Sequence, residues 1–541
     1  MKKIGNTGSF KNFYLNDQIY VDKTEYIYNL INNEARVFIS RPRRFGKSLT
    51  LDTIATLFET GVEPYFKGTW IYDKWTDPTY PVFRLSFLNL DNSSLDLFKK
   101  QLNSIISEFA IKISVKGYVE KTEPEDTILS LLEKLEEETR QIVILIDEYD
   151  YQLTSNINHD DRYKQFQQKI KRFYANIKNK WAIKFLGITG VTRLKDVEIF
   201  SIGSDINDIT NESAFSQLIG FTRDEIKKYY IDYLTLAASY ENKCRVEEVT
   251  DTQIESLLDR LAKNYDGYCF DEFYKKKVFS TWSVNKFFQS VVSNKFVYFG
   301  EYWYDNGGLP SILVNYLKTH ELNIFEYLDK DKFLKVSSDD FKNPTALTTI
   351  NQNVLMCQTG YLTLRSDLNK TSTVALGIPN GEIYKALNRL LANNIFKGNT
   401  DITDDYGRSL LEVGTVDDII NLFNSALNSV SYDNYPIVSE SSVQNMLKLY
   451  LLGAHQKVLS EVHEAKGRAD LVVNTDNRRI VFEFKYAKND TEAKAKLPDA
   501  VEQIKTRDYG NIVPKKTELL RIAAVFNADP KVRAFTDYQE V

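Results

Sequence analysis

A short apolar strand, Val37–Ser40, runs straight into RPRRFGKSLT and then into a helical pattern over Lys47–Thr60, with Leu49, Ile54, Leu57 and Phe58 roughly on one face. This strand–turn–helix joint constrains the chain more than any other segment. Gly46-Lys47-Ser48 is the GK[ST] end of a phosphate-binding loop. In such a loop backbone N–H groups at the helix N-terminus face the phosphates, the lysine reaches the β and γ oxygens, and the serine hydroxyl ligates magnesium. The usual GxxxxGK[ST] spacing wants glycine at position 41, where this chain has Arg41; Arg43 and Arg44 add charge, and Pro42 lacks a donor. Taken alone, a basic turn that only caps a helix explains the segment equally well.

Downstream partners favour the nucleotide reading. QIVILIDEYD is an apolar strand ending in Asp147-Glu148, as a Walker B strand does. Asp147 would hold magnesium through water and Glu148 would polarise the attacking water; the competing reading is a solvated strand end. A third apolar run, AIKFLGITGVTRL, ends in Thr189, Thr192 and Arg193. In additional-strand P-loop ATPases a polar residue here senses the γ-phosphate, and Thr189 is the candidate. Arg193 is either a charge-stabilising finger or an ordinary surface arginine. The expected nucleotide-binding set is Arg43, Arg44, Phe45, Gly46, Lys47, Ser48, Leu49, Asp147 and Thr189, with Ser48 and Asp147 at the magnesium.

The remaining elements suit an α/β domain over residues 1–221. Val82–Phe87 is another strand, and Ile142–Ile146 and Ile183–Ile188 are apolar runs, with helical patterns between them over Leu95–Ile113, Glu125–Glu138 and Arg162–Asn179. Such runs imply strands buried on both faces of a mostly parallel sheet. From Thr222 the pattern becomes mostly helical to about residue 335, opening with a capping box, Thr222 to Glu225. Residues 336–431 mix short strands and helices as a connector. Residues 432–541 read as helix, strand, turn, strand, helix, strand, a second small α/β unit.

That last segment carries its own constellation. In GRADLVVNTDNRRIVFEFKYAKND, Asp470 precedes Glu483-Phe484-Lys485. Strand alternation puts Glu483 and Lys485 on one face and Phe482 and Phe484 on the other. A hairpin turning through Asn474–Asn477 brings Asp470 beside Glu483. Two carboxylates and an ammonium at one edge suit magnesium, which takes hard oxygens and polarises a scissile phosphate, with Lys485 orienting or helping to deprotonate its water. Glu440 on the preceding helix supplies a further carboxylate, and Gln503 on the following helix orients Lys485 or the water. Gly467 permits close approach before Asp470, and Arg468 is placed to bind phosphate. The plain alternative is the polar half of an amphipathic hairpin. Lys485, Lys488, Lys494, Lys496 and Lys505 form either a local groove or a solvated helix face.

Together these segments resemble a known pairing. YVDKTEYI, FISRPRRFGKSLTLDTI, VILIDEYD, GITGVTRL, IGFTRDEI and YDGYCF resemble the AAA-ATPase-like proteins of bacteria, in which an arginine-rich loop replaces the first P-loop glycine. The tail resembles a PD-(D/E)XK nuclease-superfamily domain. The resemblance implies an additional-strand P-loop NTPase sheet with a helical lid, plus a small restriction-endonuclease-like α/β domain. It implies ATP and Mg²⁺ as cofactors, with Glu148, Asp470, Glu483, Lys485 and Gln503 catalytic, and Asp470, Glu483 and Glu440 as metal ligands. The chain departs from the family at Glu198, where serine is usual, in FSTWSVNKFF, which lacks Asn-Pro, and in YWYDNGG, which lacks Thr-Gly.

Composition bears on partners. Lys and Arg number 69 against 74 Asp and Glu, a net charge of −5. No global field therefore draws the chain to polyanions. From residue 432 onward the balance is 17 basic to 16 acidic residues, too even to argue nucleic-acid binding by itself. Three scattered cysteines and four histidines give no zinc spacing, and the N-terminus lacks a secretory apolar core. A cytoplasmic protein without membrane attachment is expected, with nucleic acid as partner, DNA ahead of RNA, and a homo-oligomer left open. The expected function is an ATP-dependent nuclease; the alternative is a nucleotide-switched binding module whose nuclease-like domain does not cut. A small-molecule metabolic enzyme is a distant third, because no Rossmann glycines, triad or cofactor lysine motif is present.

Overall fold

The computed structural model describes residues 1–194, 205–305, 311–317, 324–344, 346–396, 406–454, 456–464, 467–507, 509 and 517–541. Glu198 and the Asn-Gly-Gly of YWYDNGG lie outside these residues. The chain forms two compact units, Met1–His320 with Phe333–Ile383, and Glu321–Lys332 with Tyr384–Val541. Residues 336–431, grouped above as one connector, are shared between the two.

The first unit is built on β1 (Arg36–Ser40), β2 (Val82–Ser86), β3 (Ile142–Asp147), β4 (Ile183–Gly190) and β5 (Asn207–Asp208), in the order β2-β3-β4-β1-β5. Every pairing is parallel. β4 lies between the phosphate-loop strand β1 and the acidic strand β3, which is the additional-strand arrangement. The apolar runs arise because helices cover both faces: Ile142–Ile146 are all buried, and the helix Pro124–Glu137 buries Ile128, Leu131, Leu132 and Leu135. The helix after the loop spans Lys47–Thr60.

The helical part that follows begins at Arg223, and Thr222 and Glu225 form the reciprocal capping box. Glu225 also receives Lys23 Nζ at 2.6 and 2.7 Å, tying the N-terminal YVDKTEYI segment to this helix. The helices Ile231–Asn242, Asp251–Tyr265 and Thr281–Asn294 share one core built on Leu234, Leu258, Phe287 and Phe288. A small antiparallel sheet, β6 (Leu334–Ser337), β7 (Thr363–Leu364) and β8 (Thr373–Gly377), completes the unit in the order β6-β8-β7.

The second unit holds β9 (Lys457–Glu464), β10 (Gly467–Asn474), β11 (Arg478–Ala487), β12 (Glu518–Asn527) and β13 (Ala534–Glu540), ordered β13-β12-β11-β10-β9. Only β11 and β12 pair in parallel, and the helix Asp490–Arg507 makes the crossover that such a pair needs. The strands β9 and β13 are additions to the element order read from the sequence. Both are edge strands; β13 buries few of its residues, so it carries no apolar run to mark it. Among the described residues no helix is long and apolar enough to cross a membrane.

One buried acid gives the first unit a pH dependence. Glu382 is 2% exposed and accepts hydrogen bonds from Ser283 Oγ at 2.7 Å and Trp303 N at 2.8 Å. Burial pushes its pKa up to about 8. The folded unit thus holds this proton more tightly than the unfolded chain does. Its stabilising contribution is complete below the ordinary carboxylate range and is lost as pH rises towards about 8. Glu382→Gln should flatten the fall of Tm between roughly pH 5 and 8 by several degrees relative to the parent chain, read by calorimetry across that range. Parallel Tm curves for the two proteins would contradict this.

Candidate functional site

In the first unit, Gly46 caps the helix Lys47–Thr60 with φ 105°, a left-handed conformation that glycine adopts without strain. The turn leaves Lys47 7% exposed, with Nζ donating to the carbonyls of Arg41 at 2.9 Å and Pro42 at 3.0 Å. Burial lowers the pKa of Lys47, while Asp147, Asp150 and Glu148 oppose that shift. Ser48 Oγ and Thr189 Oγ1 each donate to Asp147, at 2.5 Å, one to each carboxylate oxygen. The loop helix, β3 and β4 therefore meet at one acid. Glu148 has φ 52°, and its carboxyl is pushed up first by burial and then by Asp147.

A cavity of about 480 Å³ opens here, lined by Arg43, Arg44, Phe45, Gly46, Lys47, Ser48, Leu49 and Glu148. Its far wall was not foreseen: Gly5–Gly8, Phe221, Trp282 and Asn285. Asn285 Nδ2 bonds Gly5 O at 3.2 Å and Asn6 Oδ1 at 3.1 Å, which holds the N-terminal segment against the helix Thr281–Asn294. No local signal in the sequence marks that long-range contact.

The arginines of the loop separate by environment. Arg41 faces the interior at 1% exposure, donates to Ser40 O at 2.8 Å and Thr210 O at 2.7 Å, and lies 4.1 Å from the Phe270 ring centroid. It braces the loop from behind. Arg44 stacks on Trp282 at 4.6 Å. The Phe45 ring packs edge-on against Tyr268, Phe270 and Trp303, so this residue offers the cavity its backbone rather than its side chain. Arg193 is ion-paired with Asp208, which suits bracing better than a free finger.

In the second unit, Leu471 pairs with Phe482 across the β10–β11 hairpin, so Asp470 and Glu483 are the next facing pair. Asp470 Oδ2 accepts from Phe484 N at 2.8 Å, and its carbonyl accepts from the Gln444 amide. Glu440, Asp470 and Glu483 each bring one oxygen within 4.8 Å of the others. Lys485 Nζ lies 2.7 Å from Glu483 and 3.7 Å from Glu440. Glu483 is 1% exposed, and burial followed by Asp470 raises its pKa to about 7. Burial works against the Lys485 charge, but the bond and charge of Glu483 outweigh it and hold the ammonium above its ordinary pKa. Gln503 stands apart from this group: its amide donates to Tyr509 OH at 3.4 Å, not to Lys485. Of the five lysines, Lys496 is engaged by Tyr486 O and Glu492, both at 2.7 Å, while Lys488, Lys494 and Lys505 are exposed.

Residues 4–200 match the family model described as Predicted AAA-ATPase, and residues 438–535 match that of the PD-(D/E)XK nuclease superfamily. The chain carries an AAA-ATPase-like domain and a PD-(D/E)XK nuclease-superfamily domain. An uncharacterised protein from the vnfD 5′ region of Azotobacter chroococcum mcd 1 is 26% identical over 529 residues, 95% of this chain and 94% of that one. Cdc6p from Pyrobaculum aerophilum aligns with 72% of this chain and 99% of its own at 12% identity, with a TM-score of 0.25, too distant a likeness to bear on function.

Nuclease-superfamily domains generally use a divalent cation, and the donor set here fits one. All three acids offer hard oxygens, and Glu483 Oε2 is buried with no hydrogen-bond partner. A cation entering this site must displace the proton that Glu483 retains up to about pH 7. Mn²⁺ affinity should therefore rise by up to about tenfold per pH unit below 7 and level off above it, with proton release on binding. Calorimetric titration in buffers of different ionisation enthalpy reads both effects. A flat affinity between pH 5.5 and 8.5 would contradict the assignment of Glu483 as a ligand.

Proposed function

We propose that the protein is an ATP-binding and ATP-hydrolysing nuclease whose second unit hydrolyses nucleic-acid phosphodiesters, DNA ahead of RNA, with Mg²⁺. The observation that carries the reading is the convergence of Asp470, Glu483 and Glu440 around Lys485, with one buried carboxylate oxygen unsatisfied. Asp470, Glu483 and Glu440 would hold the cation, which supplies Lewis-acid polarisation of the phosphate and a more acidic water. Lys485 keeps its proton, so its part is to orient the attacking water and to balance charge on the phosphate. The water oxygen forms a bond to phosphorus, the bond from phosphorus to one sugar oxygen breaks, and a proton passes to that leaving oxygen.

At the front site, the 480 Å³ cavity accommodates a nucleotide whose triphosphate would draw Lys47 Nζ away from the Arg41 and Pro42 carbonyls. Ser48 and Asp147 would hold magnesium there. Glu148, its carboxyl pushed above its ordinary pKa by burial, polarises the attacking water, and Thr189 responds to the γ-phosphate through Asp147.

Lys47→Ala should reduce ATP turnover to background, whereas Asp470→Asn should leave turnover intact and lower Mg²⁺-dependent cleavage by two orders of magnitude or more, roughly. The assay offers single-stranded, duplex and branched DNA and RNA, with and without ATP. Cleavage that survives in Asp470→Asn would remove the rear site from the reaction. ATP-dependent binding without any product would favour a switched binding module instead.

A further inference from the structure

The rear carboxylates have a cationic neighbour that the metal site itself does not use. Arg507, at the last position of the helix Asp490–Arg507, is exposed, yet its guanidinium lies within the electrostatic reach of both Glu483 and Asp470. An exposed arginine would ordinarily sample many rotamers. This one has an anchor that is itself anchored. Its Nη1 donates to Tyr509 OH at 3.1 Å. Tyr509 is fully buried, and its hydroxyl donates in turn to Arg468 O at 2.7 Å, on the strand that carries Asp470. The same hydroxyl accepts from Gln503 Nε2 at 3.4 Å, so its single proton and both lone pairs are engaged.

The stem of the arginine has room beside a glycine. A Cβ on Gly467 would fall 2.5 Å from Arg507 Cδ, 3.2 Å from Arg507 Cγ and 3.2 Å from Tyr509 Cε1. The aliphatic stem of Arg507 thus lies across the one position in β10 that has no side chain. A glycine in a strand weakens it, and here the absent side chain is what lets the arginine approach. Among the described residues the guanidinium has no carboxylate in direct ion-pair contact: its bond to Tyr509 is to a neutral oxygen, and Glu483 and Asp470 act on it only through their charge. A fixed, exposed, partly solvated guanidinium beside a cation-binding acid group is suited to the oxygens of a phosphate.

We propose that Arg507 binds a non-bridging oxygen of the phosphodiester at the rear site, with Tyr509 as the positioning residue that aims it and Gly467 as the gap that admits its stem. The inference rests on the nuclease reading above and deepens it. Gln503, expected from the sequence to serve Lys485 or the water, acts in this arrangement one step further out, by orienting the Tyr509 hydroxyl.

The test uses the full chain as Arg507→Ala, Arg507→Lys and Tyr509→Phe, with two readouts. Cleavage of labelled DNA with Mg²⁺ gives kcat and KM. Anisotropy of a fluorescein-labelled DNA oligonucleotide with Ca²⁺ gives binding. Tm and ATP turnover check that each variant folds. Arg507→Ala should lower kcat on the order of 100-fold and weaken DNA binding, with Mn²⁺ affinity undiminished; Arg507→Lys should recover part of the loss. Tyr509→Phe should lower kcat less, about tenfold, and should cost much less than that in an Arg507→Ala background, because its effect on cleavage runs mainly through that arginine. If the parent chain cuts and Arg507→Ala matches it in kcat and binding, the inference is overturned and the nuclease reading stands. If no variant cuts, the nuclease reading falls, and the Ca²⁺ binding comparison alone decides whether Arg507 meets phosphate: equal binding overturns the inference, weaker binding supports it.

Discussion

Charge held out of water is the constraint on which both sites depend. Glu483 at 1% exposure and Lys47 at 7% are groups that an apolar interior rejects unless each is paired or aimed at a ligand. The structure handles them differently. Lys47 is satisfied by two carbonyls of its own loop, an arrangement that a triphosphate can replace without leaving the amine bare. Glu483 is half satisfied: Lys485 takes one oxygen and the other has no partner. Burial and the neighbouring Asp470 charge raise its pKa to about 7, and a cation is its natural complement.

The same constraint sorts residues that look equivalent along the chain. In IDEYD, Glu148 lines the cavity and Asp147 accepts from Ser48 and Thr189, while Tyr149 and Asp150 turn inward and tie the end of β3 to the segment after β4. Tyr149 OH donates to Thr192 O at 3.1 Å, and Asp150 accepts from Thr192 N at 2.7 Å and Thr192 Oγ1 at 2.6 Å. Gly190 makes room, since a Cβ there would collide with the Tyr149 ring. Four consecutive residues thus divide into two beside the phosphate loop and two that hold the strand ends together. In RPRRFGKS, likewise, Arg41 braces the loop from the core while Arg43 and Arg44 line the cavity.

Much of the first unit was legible because its central strands are buried on both faces and so appear as apolar runs, as in Ile142–Ile146, and because Thr222 with Glu225 marks a helix start within four residues. The edge strands β9 and β13 were not legible: each pairs along one side only, and β13, with few buried residues, carries mixed side chains. The facing of Asp470 with Glu483 followed from strand alternation and a short turn. The place of Gln503 did not follow, because a glutamine on a helix can reach several neighbours and only packing selects among them. Arg507 and Tyr509 carried no pattern at all.

Local chemistry, written in the order of residues, determined that this chain has a phosphate-loop joint, an acidic strand end and an acid–lysine hairpin, since each depends on neighbours a few positions apart. Tertiary structure alone decided that β4 would separate β1 from β3, that Gly5–Gly8 would wall the front cavity, and that Tyr509 would hold Arg507 over Gly467. Those outcomes rest on contacts between segments distant in the chain. Their energies come from packing and from the pairing of buried polar groups, which no short stretch of sequence contains.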